Sequence, residues 1–561
     1  MPYKKRAESA HAVKNYEKKR RKKMKRIKRV FAVLLTLAMV LGMSITSFGE
    51  ETTTGTKPTA DDKATATVSN VEAGATVTAY RIVKPVYNDK GFTGYEVAEG
   101  VTLANMLEPT SDEVTGIAAN KTLLAELEQE KLVVQATVNV QEDLSEQTTY
   151  TATAQLGAGY WVVIVEGSDI QEVYNPMLVG IYYSVEGSGD NNTLVNGTVD
   201  ANSKWSLNST PAYAKSEQPT IDKKITGSTG KDTSDGNESG NDVAIGDTVN
   251  FEIDTKIPSY SKSYTEVMVK ITDTMGKGLT LADPANLVVK VDGETVEAGA
   301  DTFTFTPAED KKSFEISFAS AYALAHSGES VVVTYDAVLG EDAGFNFDPN
   351  TNTAKLEYTN DTSGQTNEIE DKTYTYTFGI DANLNGSNST ETEELLKTGE
   401  TINSGGTQTA VPLEGAEFTL TRNDGKSYTA ISDEKGHLSF TGLDAGTYTL
   451  QETKAPEGYS LNDTKIPVEI TATYNENGTL NSYSIKVNNE NTSTYTATYI
   501  KDKDEIEKID GTSDTHEIKN TKLSSLPSTG GIGTTIFTIG GCLIMIIAAG
   551  LFFATRRKST K

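Results

Sequence analysis

The sequence predicts an all-β protein built from tandem β-sandwich domains. Many short runs, such as TVNFEID and SVVVTYDAVL, alternate between apolar and polar residues and are rich in β-branched and aromatic residues. Gly, Asn and Asp separate these runs, which is typical of antiparallel strands joined by tight turns. At 561 residues the chain is long enough for about three or four such domains.

The N-terminal residues 1–49 have the layout of a secretory signal peptide. The basic stretch KKRRKKMKRIKRV precedes the apolar run FAVLLTLAMVLGM, and the small residues Ser47 and Gly49 suit cleavage before Glu50. The alternative is an uncleaved membrane anchor, although the apolar run is shorter than the roughly 20 residues that a span needs. We therefore expect an exported chain that starts near Glu50.

Composition excludes several classes of function. With one cysteine, Cys542, and four histidines, the chain cannot form an internal disulfide, and no metal-binding cluster or cofactor site is expected. No phosphate-binding Gly loop or Ser-His-Asp arrangement appears, so the sequence does not indicate an enzyme. Residues 50–529 carry 33 basic and 76 acidic residues, and a net charge of −43 argues against a nucleic-acid partner.

Linkers divide the exported part into three units. The first, residues 50–212, is mostly β with a helical excursion expected in 102–132, where Leu and Ala recur at helical spacing. The proline-containing stretch STPAYAKSEQPT marks the boundary to a middle unit, residues 213–372. The boundary to the third unit, residues 373–525, falls within the segment NEIEDKTYTYTFGID at 367–381.

The middle unit has three polar residues on strand faces that should be apolar. Alternation puts Lys223 inward with Ile225, extends the apolar row of EVMVKITD to Asp273, and begins the inward face of NTAKLEYT at Asn352. The alternative is that the alternation ends before these residues and that all three are solvated.

A buried lysine beside a buried acid and an asparagine can react. Burial lowers a lysine pKa and raises an aspartate pKa, so the amine becomes neutral and the acid protonated. The neutral amine of Lys223 can attack the Asn352 carboxamide while Asp273 polarises the carbonyl and shuttles protons as ammonia leaves. The product is a Lys-Asn isopeptide bond, a crosslink that needs no oxidant.

The third unit repeats this pattern. In GTYTLQETKAPEGY, Glu452 continues the apolar row of Tyr448 and Leu450. The run EELLKTG puts Lys397 on the face of Leu395, and HEIKNTK puts Asn520 on the face of Ile518. These residues form the second candidate triad, with Glu452 as the proton shuttle. A glutamate at a solvated strand end is the simpler alternative for Glu452.

The C-terminal end, residues 526–561, combines three signals. The motif LPSTGG precedes an apolar segment at 532–555 that is long enough to span a membrane, and RRKSTK follows directly. The basic tail stays on the cytoplasmic side, so the body of the chain lies outside. The small and turn-forming residues of the motif leave its backbone accessible to a nucleophile. Pro527 bends the backbone, Ser528, Thr529 and Gly530 are small, and Leu526 is the first residue of the motif.

Taken together, these motifs resemble the sortase-assembled, isopeptide-forming shaft pilins of Gram-positive bacteria. YTLQETKAPEGY is similar to the E-box of that family, VPLEGAEFTL to the opening of a collagen-adhesin B-type domain, and LPSTGG with its span and basic tail to the cell-wall sorting signal. The resemblance runs along nearly the whole chain. It implies immunoglobulin-like sandwiches of the collagen-adhesin A and B types.

The resemblance also implies a polymerisation chemistry. Sortase would cut between Thr529 and Gly530 and join the Thr529 carbonyl to a lysine amine. In such pilins the lysine lies in an aromatic-rich motif between the first two domains, which here is KWSLNSTPAYAKSEQPT and indicates Lys215. An ordinary linker lysine is the alternative. The family pattern carries over to the two triads above, with Asn360 as a rival to Asn352.

The expected function is therefore that of a structural subunit of a covalent, wall-anchored surface pilus that supports adhesion. Its expected partners are sortase, neighbouring pilin subunits, cell-wall peptidoglycan and a host ligand. The alternative is a monomeric wall-anchored adhesin, or a tip or base pilin, that binds a host ligand. The identity of the accepting lysine distinguishes these alternatives.

Overall fold

The computed structural model describes residues 54–140, 146–186, 198–229, 237–385, 391–402, 408–501, 503–522 and 532–557. The expected signal peptide at 1–49 and the motif residues from Leu526 to Gly530 lie outside the described residues. Strands dominate the described chain, which confirms the predicted all-β class.

The first unit contains one large sheet of ten strands, in which β4 pairs with both β2 and β5. A short two-stranded sheet, β7 with β12, lies beside it. The strands are β1 Lys63–Val71, β2 Thr76–Asn88, β3 Gly91–Val97, β4 Gln129–Val140, β5 Glu146–Gly157, β6 Gly159–Glu166, β7 Val173–Asn175, β8 Met177–Val185, β9 Val199–Asp200, β10 Trp205–Ser209, β11 Ala212–Tyr213 and β12 Lys215–Glu217.

Two helices occupy part of the segment in which the sequence predicts an excursion. They are α1, Ser111–Ala119, and α2, Lys121–Glu126. Thr110 and Glu113 form a capping box that satisfies free backbone N–H groups at the start of α1. The helical part is shorter than expected because residues from Gln129 onward pair with β2, and sheet pairing overrides the local helical spacing.

The middle unit is a sandwich of two six-stranded sheets. Its strands are β13 Asp222–Ser228, β14 Gly240–Asp242, β15 Thr248–Lys256, β16 Val269–Met275, β17 Leu279–Leu281, β18 Val288–Val291, β19 Glu294–Val296, β20 Phe303–Pro307, β21 Ser313–Phe318, β22 Ser330–Leu339, β23 Asn350–Thr359 and β24 Thr366–Tyr376, with a short helix α3, Ser320–Ala325. One sheet has the order β13-β15-β22-β18-β19, with β17 as its sixth strand paired to β22, and the other has the order β14-β24-β23-β16-β21-β20. Burial alternates along β15, β22 and β23, so the apolar faces of the two sheets meet in one core.

The third unit packs a seven-stranded sheet against a three-stranded and a two-stranded sheet around one core. Its strands are β25 Phe378–Ile380, β26 Leu395–Ile402, β27 Gln408–Pro412, β28 Glu417–Arg422, β29 Ser427–Ile431, β30 Phe440–Leu443, β31 Gly446–Lys454, β32 Ile466–Tyr474, β33 Leu480–Val487, β34 Asn491–Tyr499, β35 Ile506–Thr512 and β36 His516–Asn520. The three-stranded sheet has the order β27-β26-β36, in which β26 and β36 run parallel.

Polar contacts join consecutive units. The Tyr264 hydroxyl donates a hydrogen bond to the Tyr174 carbonyl across the first junction (2.7 Å), and Val173 packs into the core of the middle unit. At the second junction Arg422 contacts Asp247 at 3.2 Å. The three units therefore pack against their neighbours through defined contacts.

The C-terminal helix α4, Ile532–Arg557, contains an 18-residue window, Ile536–Phe553, with a mean hydropathy of 2.5 and no burial against the rest of the chain. A helix of that length and composition can cross a membrane.

Candidate functional site

The first candidate site lies between the two sheets of the middle unit. Lys223 projects inward from β13, while Asp273 and Asn352 project from β16 and β23 of the opposite sheet. Asp273 lies opposite Ala354 and Met275 opposite Asn352, so the acid and the amide are diagonal neighbours on one face. All three residues are almost completely excluded from solvent.

The three side chains converge around one tyrosine. The Lys223 Nζ contacts both the Asp273 carboxylate and the Tyr335 hydroxyl, and the Asn352 Nδ2 donates a hydrogen bond to the same hydroxyl at 2.9 Å. The Nζ also lies 5.0 Å from the ring centroids of Phe251 and Tyr335. Aromatic rings thus help to exclude water from the amine.

Sequence reasoning missed Tyr335. Alternation in SVVVTYDAVL puts it on the inward face, but an inward tyrosine in a strand is normally part of the apolar core. Its functional position depends on the pairing of β22 with β15, which aligns Tyr335 with Phe251. Local sequence carries no signal for that pairing.

Burial shifts the acid–base properties of this site. Loss of solvation lowers the pKa of Lys223 and raises the pKa of Asp273, while the attraction between the two charges opposes both shifts. Burial also raises the pKa of Tyr335 well above its ordinary value. These shifts favour a neutral amine, a protonated carboxyl group and a neutral phenol.

The second candidate site lies in the third unit. Lys397 is on β26 and Asn520 on the parallel strand β36, where Gly399 is the residue opposite Asn520. Glu452 approaches from β31 in the seven-stranded sheet. The exposed fractions of Lys397, Glu452 and Asn520 are 0%, 2% and 1%, so this cluster is also buried.

Glu452 contacts both nitrogens of this second cluster. Its Oε1 lies 3.8 Å from the Lys397 Nζ and accepts a 2.9 Å hydrogen bond from the Asn520 Nδ2. Its other oxygen accepts a bond of 2.7 Å from the backbone N–H of Asn462, which orients the carboxyl group. Burial lowers the pKa of Lys397 to about 8, so a substantial fraction of this amine is neutral near physiological pH.

Asn360, the rival to Asn352, has a different environment. It is buried, but its Nδ2 donates a 2.6 Å hydrogen bond to the Ile170 carbonyl of the first unit. The structure thus brings Asn352 to the Lys223 site and puts Asn360 at the junction of the first two units.

Lys215 lies on β12 with its side chain exposed. The preceding Ala214 is fully buried, and Asn70 donates 3.1 Å hydrogen bonds to the Ala214 carbonyl and the Ser216 hydroxyl. On its other side Lys215 pairs with Asn175 of β7. The backbone is therefore held while the amine faces solvent, which makes it accessible to an external reactant.

Buried lysines are confined to these two sites in the described part of the chain, and the described residues of the first unit contain none. No group of three or more His, Cys, Asp or Glu side chains among the described residues could hold a metal ion.

Comparison with known protein families defines the class. Residues 61–216 match the T6 antigen Ig like domain, 245–362 the Cna-B-like domain of Gram-positive pilin backbone subunit 2, 401–491 the prealbumin-like fold domain, and 518–561 the LPXTG cell wall anchor motif. The chain resembles Gram-positive backbone pilins in its domain composition and is a structural subunit of a cell-wall-anchored surface pilus.

A more specific likeness is to T6 pilins. The chain is 29% identical over 558 residues to the trypsin-resistant surface T6 protein of Streptococcus pyogenes serotype M6, covering 89% of this chain and 96% of that relative. The solved T6 backbone pilin of serotype M6 S. pyogenes shares the fold, with a TM-score of 0.55 and 22% identity over 83% of this chain and all of that structure.

Proposed function

We propose that the chain is the repeating subunit of a covalent pilus in which sortase joins the Thr529 carbonyl of one subunit to the Lys215 amine of the next. The last subunit is transferred to cell-wall peptidoglycan, and the assembled fibre supports adhesion to a host ligand. The exposed amine of Lys215, on a strand whose backbone is held on both sides, supports its role as the acceptor.

Two internal Lys-Asn isopeptide bonds stabilise each subunit. In each, the lysine Nζ attacks the asparagine Cγ, the Nζ–Cγ bond forms, the Cγ–Nδ2 bond breaks and ammonia leaves. Asp273 serves the Lys223–Asn352 bond, and Glu452 serves the Lys397–Asn520 bond. Each reaction happens once per molecule, so the protein is not an enzyme.

The observation that carries this proposal is the paired burial of lysine, acid and amide at two separate sites. A single buried ion pair is costly to desolvate and is weak evidence for stabilisation. Here each buried lysine is accompanied by an asparagine, with the Asn520 nitrogen bonded to the carboxylate that lies 3.8 Å from the Lys397 amine. Such an arrangement suits the condensation chemistry better than a purely structural role.

The two crosslinks also shorten the chain of covalent bonds that transmits a pulling force through the subunit. Tension enters at Lys215, eight positions before Lys223, and leaves at Thr529, nine positions after Asn520. With both bonds formed, residues 224–351 and 398–519 lie outside the covalent path. Force along the pilus then acts on residues 216–222, 353–396 and 521–528 rather than on the two bypassed segments.

Mass spectrometry tests the internal bonds. The full chain, purified in detergent, should weigh about 34 Da less than its sequence predicts, because each bond releases one ammonia of about 17 Da. Glu452→Ala should restore about 17 Da in the Lys397 peptide alone, and Asp273→Ala should do so in the Lys223 peptide. A mass equal to that of the unmodified chain would contradict both bonds.

Denaturing gels of cell-wall extracts test the linkage between subunits. Lys215→Ala should abolish the high-mass ladder, whereas Lys131→Ala, a change of another exposed lysine in the first unit, should leave it intact. An unchanged ladder in the Lys215 variant would exclude this linkage. The absence of any ladder in the unmodified protein would favour a monomeric adhesin or a tip or base pilin.

A further inference from the structure

We propose that Tyr335 is a catalytic residue for the Lys223–Asn352 bond and that its hydroxyl relays a proton from the attacking amine to the departing amide nitrogen. This inference rests on the proposed isopeptide chemistry. It adds a fourth participant to the middle-unit site and distinguishes that site chemically from the one in the third unit.

The position of the hydroxyl supports this role. A tyrosine hydroxyl can accept two hydrogen bonds and donate one. In the middle unit it accepts from the Lys223 Nζ and, at 2.9 Å, from the Asn352 Nδ2. One oxygen therefore contacts the nitrogen that must lose a proton and the nitrogen that must gain one.

The proton balance of the reaction requires such a group. After the amine attacks, the Lys223 nitrogen carries one proton too many, and the Asn352 nitrogen must be protonated before it can leave as ammonia. The Tyr335 oxygen takes the proton from Nζ and passes its own hydrogen to Nδ2. The phenol is regenerated, one Nζ–Cγ bond replaces one Cγ–Nδ2 bond, and no external acid, base or oxidant is consumed.

Asp273 then remains free for the carbonyl oxygen. The Asn352 Oδ1 is buried and has no hydrogen-bond donor in the described structure. Asp273 is the diagonal neighbour of Asn352 on the same sheet face, and its Oδ1 likewise has no hydrogen-bond partner in the described structure, so once protonated it can donate to the carbonyl and stabilise the negative charge that develops there. Asp273 thus stabilises the charge on the carbonyl oxygen, and Tyr335 protonates the amide nitrogen.

The third-unit site shows why the middle site needs the tyrosine. There the Asn520 nitrogen donates its 2.9 Å hydrogen bond directly to Glu452, whereas the Asn352 nitrogen donates its 2.9 Å bond to Tyr335. The described hydrogen bonds of Lys397 and Asn520 involve no tyrosine. Aspartate is one methylene shorter than glutamate, and at the middle site the Tyr335 hydroxyl takes the place beside the amide nitrogen that Glu452 has at the other site.

Replacement of the hydroxyl alone is feasible. The Tyr335 ring stacks on Phe251 at 5.4 Å and meets Phe314 edge-on at 4.8 Å, measured between ring centroids. Phenylalanine at this position keeps both ring contacts and removes only the oxygen. A change in rate therefore reports on the hydroxyl.

The experiment follows bond formation during refolding. Full-length chain recovered from inclusion bodies in urea is diluted into detergent buffer, quenched with acid at intervals, digested and analysed for loss of ammonia at the Lys223 and Lys397 peptides. Tyr335→Phe should slow the Lys223 reaction by about 100-fold, within the usual range for general acid–base catalysis. The Lys397 reaction in the same sample should be unchanged.

Two further variants separate catalysis from packing. Phe314→Leu disturbs the ring packing but keeps the hydroxyl, and it should change the rate less than threefold. Asp273→Glu combined with Tyr335→Phe should recover at least tenfold of the lost rate, because the longer acid can reach the amide nitrogen as Glu452 does. Equal slowing by Phe314→Leu and Tyr335→Phe, or a Tyr335→Phe rate within threefold of the original, would overturn the proposal.

A variant that does not fold and a chain that forms no isopeptide bond give two further results, each with its own reading. Should Tyr335→Phe fail to fold, 3,5-difluorotyrosine introduced at position 335 keeps the shape but makes the phenol more acidic, and an unchanged rate would overturn the relay. If the unmodified chain loses no ammonia at its Lys223 peptide, the isopeptide proposal itself fails, which is a different result from an unaffected rate.

Discussion

The rate of the Lys397–Asn520 reaction should depend on pH in a way that follows from burial. Lys397 is fully excluded from solvent, and this burial lowers its pKa to about 8 from an ordinary value of 10.5. Only the neutral amine is nucleophilic. The reaction rate should therefore follow the neutral fraction of this one lysine.

The pKa determines the size of the effect. With a pKa of about 8, about one amine in ten is neutral at pH 7, against about one in 3,000 for an ordinary lysine. Burial alone thus raises the neutral fraction about 300-fold at that pH. The rate should rise about tenfold from pH 6 to pH 7, about fivefold from pH 7 to pH 8, and at most about twofold above pH 8.

The assay is the refolding experiment described above, run at several pH values with the Lys397 peptide as the readout. Recovery of far-ultraviolet circular dichroism, measured in parallel, controls for the effect of pH on folding itself. A rate that does not change between pH 6 and pH 8 would refute the reasoning. So would a rate that still rises tenfold per pH unit above pH 9, because the amine would then have an ordinary pKa.

Three further predictions concern stability, mechanics and site assignment. The Asn520→Ala variant leaves Lys397 buried and unlinked. The free energy of unfolding of this variant should increase by about 3 kcal/mol from pH 8 to pH 10.5, because the unfolded chain binds a proton that the folded chain has lost. Chemical denaturation of the crosslinked protein should show no such contribution from Lys397. In single-molecule pulling through Lys215 and the C-terminal end of the third unit, Asp273→Ala should release residues 224–351 and add about 45 nm of contour length that the unmodified chain lacks; equal lengths would contradict the crosslink. Asn360→Ala should leave both ammonia losses intact in intact-mass measurements, whereas Asn352→Ala should remove one; the reverse result would reassign the acceptor.

The strand faces of both candidate sites could be predicted from local sequence. Successive side chains of a strand point to opposite sides, so an apolar row that continues to Asp273 or Glu452 indicates an inward carboxylate. Both carboxylates are buried in the structure. The helical segment was less predictable, because residues from Gln129 onward pair with β2 and form strand despite their helical spacing.

Local sequence cannot predict which of two asparagines, Asn352 or Asn360, is the partner of Lys223. Asn352 and Asn360 are eight positions apart and share one face of the segment NTAKLEYTN, so alternation cannot choose between them. They are about 27 Å apart along an extended chain. The pairing of β23 with β16 puts Asn352 near Asp273, and the packing of the two sheets brings Lys223 to both, while packing against the first unit brings Asn360 to Ile170.

By itself the sequence determined the all-β class, the inward faces of the strands, the residue types available for condensation and the anchor at the C-terminal end. These features depend on local periodicity and composition. The tertiary structure decided which asparagine meets which lysine, which carboxylate contacts both nitrogens, and that a tyrosine hydroxyl contacts the lysine and the asparagine of the candidate site in the middle unit. Those relations depend on pairings between strands far apart in the chain, and the period of two in a single strand carries no information about its partner.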